Sequence, residues 1–143
     1  MATHFADWGI YEKFIICSLP NSNTRDWHVL EECNVTSLYI FQNVFYPKQL
    51  LHRFKIDHVE KRVILSGIPT LSELVDIVDK IVTDIKTSNI VACVDVHGII
   101  CACVLAVMEG LSANDAIMKT KYCRNGVFTK QEHLEMVHKF CNN

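Results

Sequence analysis

The sequence predicts an α/β fold with a central, mostly parallel sheet flanked by helices, and three observations predict it. Short runs rich in β-branched and aromatic residues alternate with segments of helical period through the first two thirds of the chain. One of these runs, "NIVACV" (89–94), carries apolar side chains at nearly every position, as a strand buried on both faces must. The last third holds helices in succession, the last two each opened by a cap signal. Such a fold places its functional crevice at the carboxyl ends of the strands.

"FIIC" (14–17) is a short apolar strand ended by "SLPNSNT", whose Pro and Asn residues turn the chain. "RDWHVLEEC" (25–33) carries Trp27, Val29 and Leu30 at helical spacing, and "VTSLYIF" (35–41) reverts to strand chemistry. "IDHVEKRVIL" (56–65) is the next candidate strand. A helix follows, opened by a capping box of Thr70 and Glu73 and lined on one face by Leu71, Leu74, Val75, Val78, Ile81, Val82 and Ile85. After the strand at 89–94, "CACVLAVMEG" (101–110) reads as an apolar helix stopped by Gly110. Ser112 with Asp115 caps a helix over 113–122, and Thr129 with Glu132 caps a last one ending near Phe140. No repeat or Pro/Gly/Ser-rich linker interrupts this order, so residues 1–143 are expected to form one domain.

Half of the residues are hydrophobic, enough for a sizeable core, and 14 basic residues nearly balance 16 acidic ones. No single-sign field invites nucleic acid or an anionic membrane. The N-terminal stretch lacks the apolar run of a signal peptide, and no segment reaches the ~18 uncharged apolar residues of a spanning helix. Seven cysteines, an odd number set mostly in apolar runs, suit reduced thiols, so the expected location is the cytoplasm or the nucleus. Cys141 stands one place short of a prenylation box, and no stable membrane anchor is expected.

The stretch "VACVDVHGIICACVLAV" (91–107) reads as a buried strand that turns at His97-Gly98 and enters a helix. In loops of this shape the backbone N–H groups of the turn and of the first helical turn converge on one point, where a phosphate or a developing oxyanion sits. This chain instead brings Asp95 to that point, and no Lys or Arg occurs between Lys86 and Lys119.

Together with "YEKFIICSLPNSNT", "LEECNVTSLYIF", "GLSANDAI" and "YCRNGVFTKQEHLEMVHKF", which match in the right order, this loop makes roughly residues 11–140 resemble the compact dual-specificity protein tyrosine phosphatases. The resemblance is closest to the phosphatase-of-regenerating-liver subgroup. It implies that family's fold and a phosphate loop over Asp95, Val96, His97, Gly98, Ile99, Ile100 and Cys101. The family's chemistry uses a Cys thiolate that attacks phosphorus, five residues, and an Arg that clamps two phosphate oxygens. An Asp on a neighbouring loop protonates the leaving oxygen. Here the nucleophile position falls on Asp95, the Arg position on Cys101 and the preceding His position on Val94. Only Gly98 keeps its identity among the signature positions. The acid loop falls on "RVILSGIP", placing Ser66 at the general-acid position with Gly67 and Pro69 around it.

The resemblance thus implies a catalytically degenerate member, a pseudophosphatase that acts as a protein-binding or regulatory module and shares, for instance, a partner with an active relative. The alternative is an enzyme with residual or repurposed phosphatase chemistry around Asp95, His97 and Cys101. The subgroup associates with CNNM-type magnesium-transport proteins by receiving an acidic partner residue in its pocket. Asp95 would repel that residue, so this partner carries over only weakly.

Simpler roles stand beside these. Asp95 is a favoured type for capping the helix that follows, and bonds from the loop N–H groups would hold its carboxyl below the ordinary carboxylate range. Ser66 suits an ordinary turn, His97 a solvent-facing or helix-capping position, and Cys101 and Cys103 a helix core. Cys93, His97, Cys101 and Cys103 fall within eleven residues but fit no common zinc spacing, and Cys-x-Cys is not the Cys-x-x-Cys redox signature. No metal or other cofactor is expected.

Overall fold

The structure, a computed structural model, describes residues 9–11, 13–17, 20, 24–42, 48–64, 67–87, 89–95, 97–123, 126–128 and 130–143, with backbone only at 9–11 and 24. Its elements in chain order are β1 (Gly9–Tyr11), β2 (Phe14–Cys17), α1 (Thr24–Glu32), β3 (Ser37–Ile40), α2 (Lys48–Arg53) and β4 (His58–Lys61). There follow α3 (Leu71–Lys86), β5 (Val91–Val94), α4 (Ile99–Glu109), α5 (Ala113–Cys123) and α6 (Gln131–Cys141). The strands form one sheet in the order β1-β2-β5-β3-β4. β1 runs antiparallel to β2, and every other pairing is parallel.

β5, last in sequence, lies in the middle, and all four of its residues are buried. That position explains its unbroken apolar run, because a central parallel strand has no solvent face. On one face of the sheet Ile15, Cys17, Leu38, Ile40, Ala92 and Val94 meet Trp27 and Leu30 of α1 together with Phe54 and Ile56. On the other, Phe14, Ile16, Tyr39, Val91 and Cys93 meet the large layer built from α3 to α6. The period-two alternation of the strands is thus realised as two cores of unequal size.

All four sequence-predicted strands form; β2 matches its predicted run at both ends, and the other three are shorter than the runs that carry them. The sequence reading does not anticipate β1 or α2. β1 has only three residues, and α2 buries none of its side chains, so it offers no apolar periodicity to read.

The capping box at the start of α3 forms as expected: Glu73 N–H donates to Thr70 Oγ1 at 3.1 Å, and Thr70 N–H donates to Glu73 Oε1 at 2.9 Å. The buried face of α3 differs from the expectation at three positions: Ile77 joins it, Leu71 is only half-buried and Val75 leaves it. It is Leu74, Ile77, Val78, Ile81, Val82 and Ile85, while Val75 is 43% exposed. Ile77 belongs because it continues the i, i+3, i+4, i+7 series from Leu74, whereas Val75 is turned about 100° away. This face packs on α4 and α6 as well as on β5, so α3 is not a simple cover for the sheet.

α4 begins at Ile99, two residues earlier than the apolar run suggests, and Gly110 ends it in the left-handed conformation at φ 66°. Ser112 Oγ accepts from the Asp115 N–H at 3.2 Å, which confirms the second cap. α6 starts after Lys130, which carries no side-chain cap bond, and Thr129, the expected cap, lies outside the described residues. Among the described residues no single helix is long and apolar enough to cross a membrane.

Candidate functional site

Because β5 sits between β2 and β3, its carboxyl end opens where the order of strands reverses, the usual crevice of an open parallel sheet. Asp95 follows directly, and the chain then turns through His97 and Gly98 into α4. Gly98 is the N-cap residue of α4 at φ 86°, and a Cβ there would lie 2.8 Å from the Cβ of Val127 and 3.2 Å from the ring of Phe128. Both the backbone conformation and the space require glycine at this position. The segment between α5 and α6 is tied to the same turn, the Phe128 N–H donating to the His97 carbonyl at 2.9 Å.

Asp95 is 5% exposed. Its Oδ2 accepts a hydrogen bond from the Cys101 backbone N–H at 3.0 Å, and the Ile100 N–H and the Cys101 thiol also favour its charged form. Cys101 is the third residue of α4, so the carboxylate satisfies one of the donors that a helix N-terminus leaves open. It does so from three residues before the N-cap, since Gly98 itself holds that position. Asp95 therefore caps α4 with its side chain without being the N-cap residue.

The expected direction of the Asp95 pKa is corrected by its burial. Loss of water raises the pKa above the ordinary carboxylate value, and this outweighs the lowering by Cys101, Ile100 and His97. Hydrogen bonds alone would have pulled it the other way. What is missing is a cation: no Lys or Arg is among the described residues that line the site.

Those residues enclose a pocket of about 340 Å³ lined by Phe41, Val63, Ile64, Ile99 and Ile100, with Gln42, Asp95 and His97 as its polar members and Gly67 and Pro69 on one side. Ser66, the expected acid position, and Val96 lie outside the described residues. Gly67 and Pro69 nevertheless stand in the same pocket as Asp95, so the segment aligned with the acid loop does reach the turn.

His97 is half-buried and not solvent-facing: its ring lies 4.4 Å, centroid to centroid, from that of His133 on α6. The sequence reading missed His133, which is 2% exposed and whose Nδ1 has no hydrogen-bond partner among the described residues. Burial lowers the His133 pKa, and His97 and Lys130 lower it further. No signal short of a fold could pair two histidines this far apart in sequence.

Cys93, Cys101 and Cys103 are all completely buried in the larger core. Burial pushes the Cys103 thiol far up, with Cys141 and Asp95 adding to the shift. These are side chains of a packed interior, in keeping with the core reading. Among the described residues no three His, Cys, Asp or Glu side chains group closely enough to hold a metal ion.

No family model matches the sequence, and no curated protein does. Solved structures do. Tk-PTP in its active form superposes with a TM-score of 0.78 at 16% identity, covering 96% of this chain and 97% of that one. PTPMT1 gives 0.73 at 18% identity with 94% of each chain covered, and human DUSP28 gives 0.72 at 12% identity over 94% and 92%. At such low identity the likeness speaks for backbone architecture alone. The chain has the protein tyrosine phosphatase and dual-specificity phosphatase fold, with Asp95 buried at the start of its central turn.

Proposed function

We propose that the protein is a pseudophosphatase, closest to the phosphatase-of-regenerating-liver subgroup, which uses the degenerate loop Asp95–Cys101 and its pocket to bind a protein partner rather than to hydrolyse phosphate esters. The single observation that carries this reading is the Asp95 carboxylate on the Cys101 N–H, in a pocket without Lys or Arg among its described lining. A carboxylate on that donor competes with a phosphate oxygen for it, and its charge repels the dianion. Cys101, at the position of the Arg clamp, is buried in α4 and offers no second pair of donors. An acidic residue of the kind that CNNM-type proteins present would meet the same repulsion.

The solved structures of PTPMT1 with PI(5)P and of the yeast SIW14 catalytic domain with citrate show related folds holding anions. The described lining here offers the Asp95 carboxylate and no Lys or Arg. Purified protein is expected to release no p-nitrophenol from p-nitrophenyl phosphate, and no phosphate from phosphotyrosine or phosphothreonine peptides, above a buffer blank. Turnover that disappeared in Asp95→Ala would establish the rival reading, repurposed chemistry around Asp95, His97 and Cys101.

A further inference from the structure

The described lining of the degenerate pocket joins two kinds of chemistry. Phe41, Val63, Ile64, Ile99 and Ile100 present hydrocarbon around it, and Asp95, almost entirely buried, is the one carboxylate among the described lining residues. Its volume of about 340 Å³ falls at the low end of the ~300–1,000 Å³ range typical of small-ligand sites. Asp95 Oδ2 accepts from the Cys101 N–H at 3.0 Å, and burial, with no Lys or Arg in the described lining, disfavours its charge. A side chain with an apolar stem and a cationic head complements both parts, the stem against the walls and the head on the carboxylate.

We propose that the pocket receives a lysine or arginine side chain presented by a partner protein, so that the site binds the charge opposite to that of a phosphate ester. This rests on reading the site as a binding pocket, and it names the chemistry of what is bound. His97, which also lines the pocket, can accept a hydrogen bond from the incoming head through a neutral imidazole nitrogen. The opposite occupant, a partner's carboxylate, would face Asp95 with no cation on the described walls to offset it.

The test uses the intact protein, labelled with ¹⁵N, and follows the Cys101 and Ile100 amide resonances. n-Butylammonium, which reproduces the lysine stem and head, is expected to shift both amides saturably and about tenfold more tightly than n-butanol, as one charge-assisted hydrogen bond allows. n-Butyl phosphate should leave them in place. A blocked pentapeptide with a central lysine should bind at least as well as the amine. Asp95→Asn should reduce the preference for n-butylammonium over n-butanol to near unity, and the wild-type comparison stands even where that variant folds poorly. Equal response to amine and alcohol, binding of the phosphate, or a peptide weaker than the free amine would each overturn the proposal. A pocket indifferent to amines in a protein that also fails to turn over phosphate esters would sink the cation site alone, whereas turnover would sink the reading beneath it.

Discussion

Gly98→Ala should be the most damaging small substitution in the molecule. The added Cβ would stand 2.8 Å from the Val127 Cβ and 3.2 Å from the Phe128 ring, on a backbone at φ 86°. Left-handed strain of about 1–3 kcal/mol and overpacking of about 1–3 kcal/mol act together there, so a loss of several kcal/mol is expected. Gly110→Ala is the control, because Gly110 has φ 66° but nothing within 4 Å of its would-be Cβ. That variant carries backbone strain alone, about 1–2 kcal/mol. Denaturant unfolding of the two variants separates the terms. Equal losses would mean that the 126–128 segment gives way freely and does not brace the turn.

The second large effect concerns Asp95. Asp95→Ala leaves the Cys101 N–H without its acceptor in a buried place, at a cost of about 1–3 kcal/mol. Asp95→Asn retains a carbonyl oxygen for that donor and discards the charge, so Asn should exceed Ala in stability by this margin at every pH. The comparison with wild type has a definite sign. The folded-state pKa of Asp95 is raised, so the fold prefers the protonated side chain. Its contribution is fully present below the unfolded-state value near 3.8 and is lost as pH rises through the higher folded-state value. Wild type and Asp95→Asn should therefore be equally stable in acid, with Asn gaining the advantage towards neutrality. Unfolding midpoints from pH 3 to pH 8 provide the check, and a wild type that outlasts Asn at neutral pH would show the hydrogen bonds to outweigh desolvation.

How much of this was legible in the sequence depends on how local the physics is. The capping box of Thr70 and Glu73, the Ser112 cap and the stop at Gly110 are decided within four residues, and each is found where the sequence puts it. The unbroken apolar run of β5 announces a strand with two buried faces. β1 and α2 were illegible because three residues at a sheet edge and one solvated turn and a half of helix carry no periodic signal. Val75 was misplaced on α3 because Ile77, equally apolar and two residues on, fits the buried series better. At the site, Asp95, His97 and Gly98 were readable from the strand-turn-helix pattern. The partnership of His97 with His133 was not, nor was the balance of burial against hydrogen bonds at Asp95, since both depend on contacts made only by the assembled fold.

The most direct measurement is a titration of the protein with tungstate, an oxyanion probe of phosphate loops, with the thermal unfolding midpoint as the readout. A phosphate site gains roughly 1.5–3 kcal/mol from each hydrogen bond to the charged ligand, and a bidentate Arg supplies two of them. Cys101 supplies neither of those two, and Asp95 adds repulsion on the donor the anion would need. Tungstate up to about 1 mM is therefore expected to leave the midpoint unchanged, while Asp95→Cys, Cys101→Arg, which restores the thiol and the clamp, regains a saturable rise. A saturable rise in the wild type at micromolar tungstate would contradict the account, because it would mean that the loop still holds phosphate with Asp95 in place.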